Sequence, residues 1–125
     1  MNDRSRVEQA AQMLATELRT IQKRADSGEN TCDSNQKFLG YEISQPVDET
    51  KIDYYPICDL SGVETTGAIK SFSLANGMSA KISDFPFRIL SLGRGVDKVV
   101  SITLFKGDIK YRVDITKAGG ISVVK

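Results

Sequence analysis

Residues 6–28, RVEQAAQMLATELRTIQKRADSG, place Val7, Ala11, Leu14, Ala15, Leu18, Ile21 and Ala25 at steps of three and four. This spacing predicts one amphipathic helix of about six turns with a single apolar seam. Lys23 and Arg24 fall in its last turn, where positive charge suits the helix dipole, and Gly28 is placed to end it in a left-handed cap. After the polar stretch 27–36 the pattern changes from a helical period to a period of two. Strands are predicted at 38–45, 51–59, 67–74, 78–83, 86–92, 98–106, 109–116 and 120–124. Turn signals separate them at Gly62, Asn76-Gly77, Gly93-Arg94-Gly95, Gly107-Asp108 and Gly119-Gly120.

The last strands alternate most cleanly. Val100, Ile102 and Leu104 alternate with Ser101 and Thr103, and Ile109, Tyr111, Val113 and Ile115 alternate with Lys110, Arg112, Asp114 and Thr116. Ile121 and Val123 continue in phase. Such alternation describes antiparallel strands with one face buried and one wet. The helical seam then has one partner, the apolar face of the sheet. The expected fold is α+β: one long N-terminal amphipathic helix packed on an antiparallel β-meander. Residues 1–28 form the helical part and 29–125 the sheet of the same single domain. Val7, Leu14, Leu18, Ile21 and Ala25 are the expected helix–sheet contacts.

At 125 residues the chain is long enough for one sizeable core. It lacks histidine altogether, which removes Ser-His-Asp and Cys-His catalysis and every histidine metal site. Ser34-Asn35-Gln36-Lys37 has S-x-x-K spacing without its companion motifs, and Gly93-Arg94-Gly95 lacks the flanks of a phosphate loop. Asp48 and Glu49 read as a solvated turn rather than a calcium loop. Neither an enzyme nor a cofactor is expected. The net charge of +1 points to no particular partner, but its distribution is uneven. Residues 1–80 carry 8 Lys/Arg against 12 Asp/Glu, whereas 81–125 carry 9 against 4.

No stretch approaches the ~18 apolar residues of a membrane span, and Met1 is followed at once by polar residues rather than by a signal peptide. The two cysteines, Cys32 and Cys58, stand in polar, turn-like settings. Two free thiols would need no oxidising compartment, but neither cysteine lies in an apolar run. A disulfide from Cys32 to Cys58 is the favoured reading, and it would place the domain outside the cytoplasm.

Several segments, taken in order, resemble a known family. The helix SRVEQAAQMLATELRTIQKRADSG resembles the exposed second half of the pilin helix, with Ala25-Asp26-Ser27-Gly28 matching its A-x-S/T-G ending. TCDSNQKFLGYEIS followed by DYYPICDL resembles the first strands of such proteins, marked by a Cys, a Gly-Tyr and a second Cys. IKSFSLANGMSAKI and the C-terminal FRILSLGRGVDKVVSITLFKGDIKYRVDITKAGGISV resemble later parts of the same pattern. The chain thus resembles the soluble part of a type IV pilin-like protein, close to the minor pilins and the H-like pseudopilins of type II secretion.

The resemblance implies a structural subunit of a pilus or pseudopilus, with a prepilin cleavage site and an apolar half-helix ahead of the present residues. Those features are absent here, so a chain starting after them is expected. Alternatively, Ser5-Arg6-Val7-Glu8 is a capping box starting a natural helix. The implied partners are other pilin subunits and the inner-membrane assembly machinery. The implied location is a surface filament, anchored in the inner membrane before assembly. On the helix, Arg4, Glu8, Glu17, Arg19 and Lys23 would face neighbours or water. A second reading is weak DNA binding through Arg94, Lys98, Lys106, Lys110, Arg112 and Lys117, interrupted by Asp97, Asp108 and Asp114. Tyr111 falls in the inward phase, which leaves that patch without an aromatic for base stacking. A third reading is an unrelated cytoplasmic interaction domain.

Overall fold

The structure, a computed structural model, describes residues 3–27, 32–33, 35–45, 49–74 and 78–125. Helix α1 spans Asp3–Asp26. It contains no Gly or Pro, and Ala10, Ala11 and Ala15 combine high helix propensity with close approach to the layer beneath. Val7, Ala10, Ala11, Leu14, Ala15, Leu18, Ile21 and Ala25 are all buried, so the seam is occupied along the whole helix. Because α1 begins at Asp3, Ser5 lies inside the first turn and does not act as an N-cap.

The expected single meander is not what the chain forms. More than twice as many residues lie in strands as in the helix, and nine strands, among the described residues, divide into two antiparallel sheets. The body is β-rich, and α1 packs on both sheets, so the α+β, pilin-like description is corrected. In the first sheet β1 (Lys37–Ser44) lies between β2 (Lys51–Leu60) and β6 (Phe87–Leu90). The two short strands β3 (Val63–Thr66) and β4 (Lys70–Ser73) share the far edge of β2. The second sheet runs β5 (Ser79–Ile82), β7 (Val100–Lys106), β8 (Ile109–Ile115) and β9 (Ile121–Val124).

The division turns on β6. Its Phe87 and Ile89 point inward as the sequence pattern requires, but it pairs with β1 rather than with β5 or β7. Alternation specifies which face of a strand is buried, not which strand lies beside it. Strand β3 also escapes the sequence reading: its four residues are all exposed and carry no alternation. It exists because Ser61 and Gly62, both at positive φ, fold the chain back tightly on β2.

Both inner faces and α1 share one core, with Tyr41, Ile43, Ile52, Phe87, Ile102, Leu104, Val113 and Ile115 among its buried members. A bulge in β1 sits between Phe38 and Gly40. There the backbone of Gly40, at φ 137°, runs so close to the Ile89 carbonyl that a Cβ would collide with it. The C-terminal end of α1 is held by tertiary structure. The Leu92 N–H donates to the Ala25 carbonyl at 3.1 Å, and the Gly93 N–H donates to the Asp26 carboxylate at 3.1 Å. Gly28, Ser34, Asp48 and the Asn76-Gly77 turn lie outside the described residues. Among those described, no helix is long and apolar enough to cross a membrane.

Candidate functional site

The outer face of the second sheet follows from its register. Lys81 of β5, Thr103 of β7, Arg112 of β8 and Val124 of β9 form one row, and Ser79, Phe105 and Lys110 form the next. Strands lie about 4.8 Å apart, so the Lys81 and Arg112 backbones are about 10 Å from each other. Inward phase belongs to Ile102, Leu104, Tyr111 and Val113, which are buried. The outward phase therefore exposes Thr103, Phe105, Lys110 and Arg112 together. Two adjoining open hollows mark this face. One is lined by Lys81, Thr103, Phe105, Gly107 and Lys110, the other by Thr103, Lys110, Tyr111, Arg112 and Lys125.

Charge on this face is largely uncompensated. Lys110 and Lys125 make no ion pair among the described residues, and Lys81 only approaches Glu49 at 3.9 Å with both side chains exposed. Arg112 is different, because its Nε donates to Asp114 at 2.7 Å. That hydrogen bond, with a second from Ser101 Oγ at 2.9 Å, holds the Asp114 carboxyl below its usual range.

The six basic positions read from the sequence do not form one surface. Lys110 and Arg112 share the outer face of β8. Lys98 is turned to Asp84 at 3.3 Å. Arg94 clamps the backbone, donating to the carbonyls of Ser91 and Leu39 at 3.1 and 3.3 Å and to Ser91 Oγ at 3.1 Å. Lys117 lies in the β8–β9 turn, where its carbonyl accepts from the Val96 N–H, and Lys106 closes β7 opposite Ile109. The structure instead adds Lys81, Lys125 and Phe105. The signal for Phe105 was present in the sequence, since it continues the phase of Ser101 and Thr103.

The corresponding face of the first sheet sets one arginine between two carboxylates. Arg88 donates through Nε to Glu42 at 3.0 Å and forks onto Glu64 at 3.1 and 2.9 Å. The Tyr55 hydroxyl donates to the same Glu42. These bonds fix Arg88 firmly in its charged form and lower the Glu64 pKa, while burial and Glu42 push the Tyr55 hydroxyl up to about 12.

On α1, Val7, Leu14, Leu18, Ile21 and Ala25 face the core. The flanks reach down to the sheets. Tyr54 and Tyr111 hydroxyls donate to Glu17 and Glu8 at 3.4 and 3.5 Å, while Arg19 and Gln22 donate to the carbonyls of Ile121 and Gly119 at 3.1 and 2.7 Å. Glu8, Glu17 and Arg19 thus brace the helix on the sheets. The outer ridge between Glu8 and Glu17 is left with Gln9, Gln12, Met13 and Thr16, all exposed and none charged. Met13 is 60% exposed and borders a depression of about 110 Å³ floored by Ala10, Phe72, Leu74 and Met78 and edged by Arg6, Gln9 and Ser73.

Cys32 and Cys58 are joined in a disulfide with their Cα atoms 5.8 Å apart, which ties the loop before β1 to β2. Among the described residues no group of three His, Cys, Asp or Glu side chains is placed to hold a metal ion. No protein-family model, curated protein or solved structure matches the chain, so its resemblance to pilin-like proteins rests on the residues quoted above.

Proposed function

We infer that the protein is a structural subunit of a pilus-type filament and that it meets neighbouring subunits through the outer ridge of α1. The observation that carries this reading is the uncharged stretch Gln9–Thr16, with exposed Met13 beside the depression floored by Phe72, Leu74 and Met78. Protein interfaces favour methionine and aromatic residues and exclude charge from their centres, because desolvating an ion costs more than desolvating an amide or thioether. A helix from a second subunit can cover Met13 and its uncharged neighbours while Arg6, at the rim of the depression, keeps its guanidinium toward water. The order of residues shared with pilin-like proteins supports the same reading. The Cys32–Cys58 bridge also suits an oxidising compartment. The partners are other subunits and the inner-membrane assembly machinery, and the destination is the cell surface.

The test is made in the native cell with the complete gene product. Met13→Glu places a charge in the centre of the ridge and should reduce filament recovered by shearing at least tenfold, with the subunit still folded. Met13→Cys, oxidised in situ, should give a ladder of cross-linked subunits. Normal filaments from Met13→Glu together with no cross-links would overturn the proposal. A single discrete dimer band would point instead to an unrelated interaction domain.

A further inference from the structure

We propose that the outer face of the β5-β7-β8-β9 sheet binds single-stranded DNA, with a base stacked on Phe105 and the backbone held by Lys81, Lys110 and Lys125. Phe105 is half-buried on the wet face and lies directly across from Lys110 in the β7–β8 register. It lines the same hollow as Lys81 and Lys110, and Lys110 continues into the hollow that holds Lys125. A partly exposed aromatic ring amid lysines without strong acidic partners offers two things at once. One is a flat apolar surface for a base, and the other is a set of cations for adjacent phosphates. Of the acids near this face, Asp114 is engaged by Arg112 and Ser101, Glu49 only approaches Lys81 at 3.9 Å, and Asp108 lies beyond the strands in the β7–β8 turn.

The shape selects among polyanions. A duplex keeps its bases stacked inside and would meet a sheet face through phosphates alone, leaving Phe105 unused. A single strand has free bases and a flexible backbone, so it can lay one base on the ring while its phosphates reach lysines on strands about 10 Å apart. An acidic peptide satisfies the lysines but has no matching use for the ring. The choice of DNA over RNA rests on the filament reading, with its oxidising, extracytoplasmic setting. The ring-and-lysine chemistry does not. Binding is measured on the purified chain in solution, so its failure is distinguishable from a failure of assembly.

The experiment is a fluorescence-anisotropy titration of a short labelled oligothymidine at low salt, with duplex DNA and oligouridine as parallel arms. Three lysine contacts predict a log K against log salt slope near −2. Phe105→Leu keeps an apolar side chain without the π face and should weaken binding about 5- to 100-fold. Lys110→Gln and Lys81→Gln, both at exposed positions, should each flatten the salt slope by about 0.7. Lys98→Gln, whose ammonium is turned to Asp84, should change nothing. Tighter binding of the duplex, unchanged affinity in Phe105→Leu, or an unchanged slope in both lysine variants would overturn the assignment. Tighter binding of oligouridine would overturn the choice of DNA.

Discussion

Tyr55 and Glu42 face each other across β1 and β2, and the Tyr55 hydroxyl donates to the Glu42 carboxylate. Burial first, and Glu42 second, push the Tyr55 pKa from 10.0 to about 12. The folded protein therefore holds this proton at pH values where the unfolded chain has lost it. Its contribution to stability is complete below pH 10 and disappears as pH rises from about 10 to about 12. Urea unfolding across that window should show the parent protein losing stability faster than Tyr55→Phe, which has no proton to lose. Parallel decline of the two proteins would contradict this account. Other single residues act through geometry rather than titration. Arg94, read from sequence as a surface cation, is a backbone clamp, because Ser91 and Leu39 present carbonyls to its guanidinium. Residue type marks Arg94 as charged, whereas its engagement depends on the local turn that presents Ser91 and on β1, distant in sequence, which presents Leu39.

Among the elements, β2 carries a covalent tie to Cys32, ahead of β1. Cys32 and Cys58 are 26 residues apart, and closing a loop of that size restricts the unfolded chain by about 3 kcal/mol in the chain-entropy estimate. Cys32→Ser combined with Cys58→Ala should lower unfolding stability by about that amount. A reductant should do the same to the parent and nothing to the double variant. Helix α1 is an element of a different kind, since its stability comes from its partners. Its seam was legible because a helix repeats its contacts every three or four residues, and every seam position is buried. Its C-terminal anchorage was not legible, because the donors come from Leu92 and Gly93 in a loop far along the chain. The wet face of β7 and β8 was legible in phase but incomplete in membership. Lys81 joins it only through strand pairing and Lys125 through its place after β9, while Phe105 shares the phase of Ser101 and Thr103.

The whole molecule is held by a core to which α1 and both sheets contribute, so a gap in the helical seam should be felt throughout. Leu18 is buried in that core, and Leu18→Ala should cost about 2–5 kcal/mol in equilibrium unfolding, as a single cooperative transition. A loss below 1 kcal/mol would mean that the helix is not an integral layer. The sequence by itself determined the long helix and its buried stripe, the strand-rich remainder, most of the strands with their inward phase, and the absence of histidine chemistry. Each of these is a local property, set by side-chain period and residue type. Only the tertiary structure decided that β6 pairs with β1, splitting the expected meander into two sheets. It also turned Arg94 and Lys98 to other partners and gathered Lys81, Phe105, Lys110 and Lys125 on one side. The physical reason is that a strand's alternation fixes the face it buries. Its neighbour is chosen by hydrogen-bond pairing and core packing among segments remote in sequence.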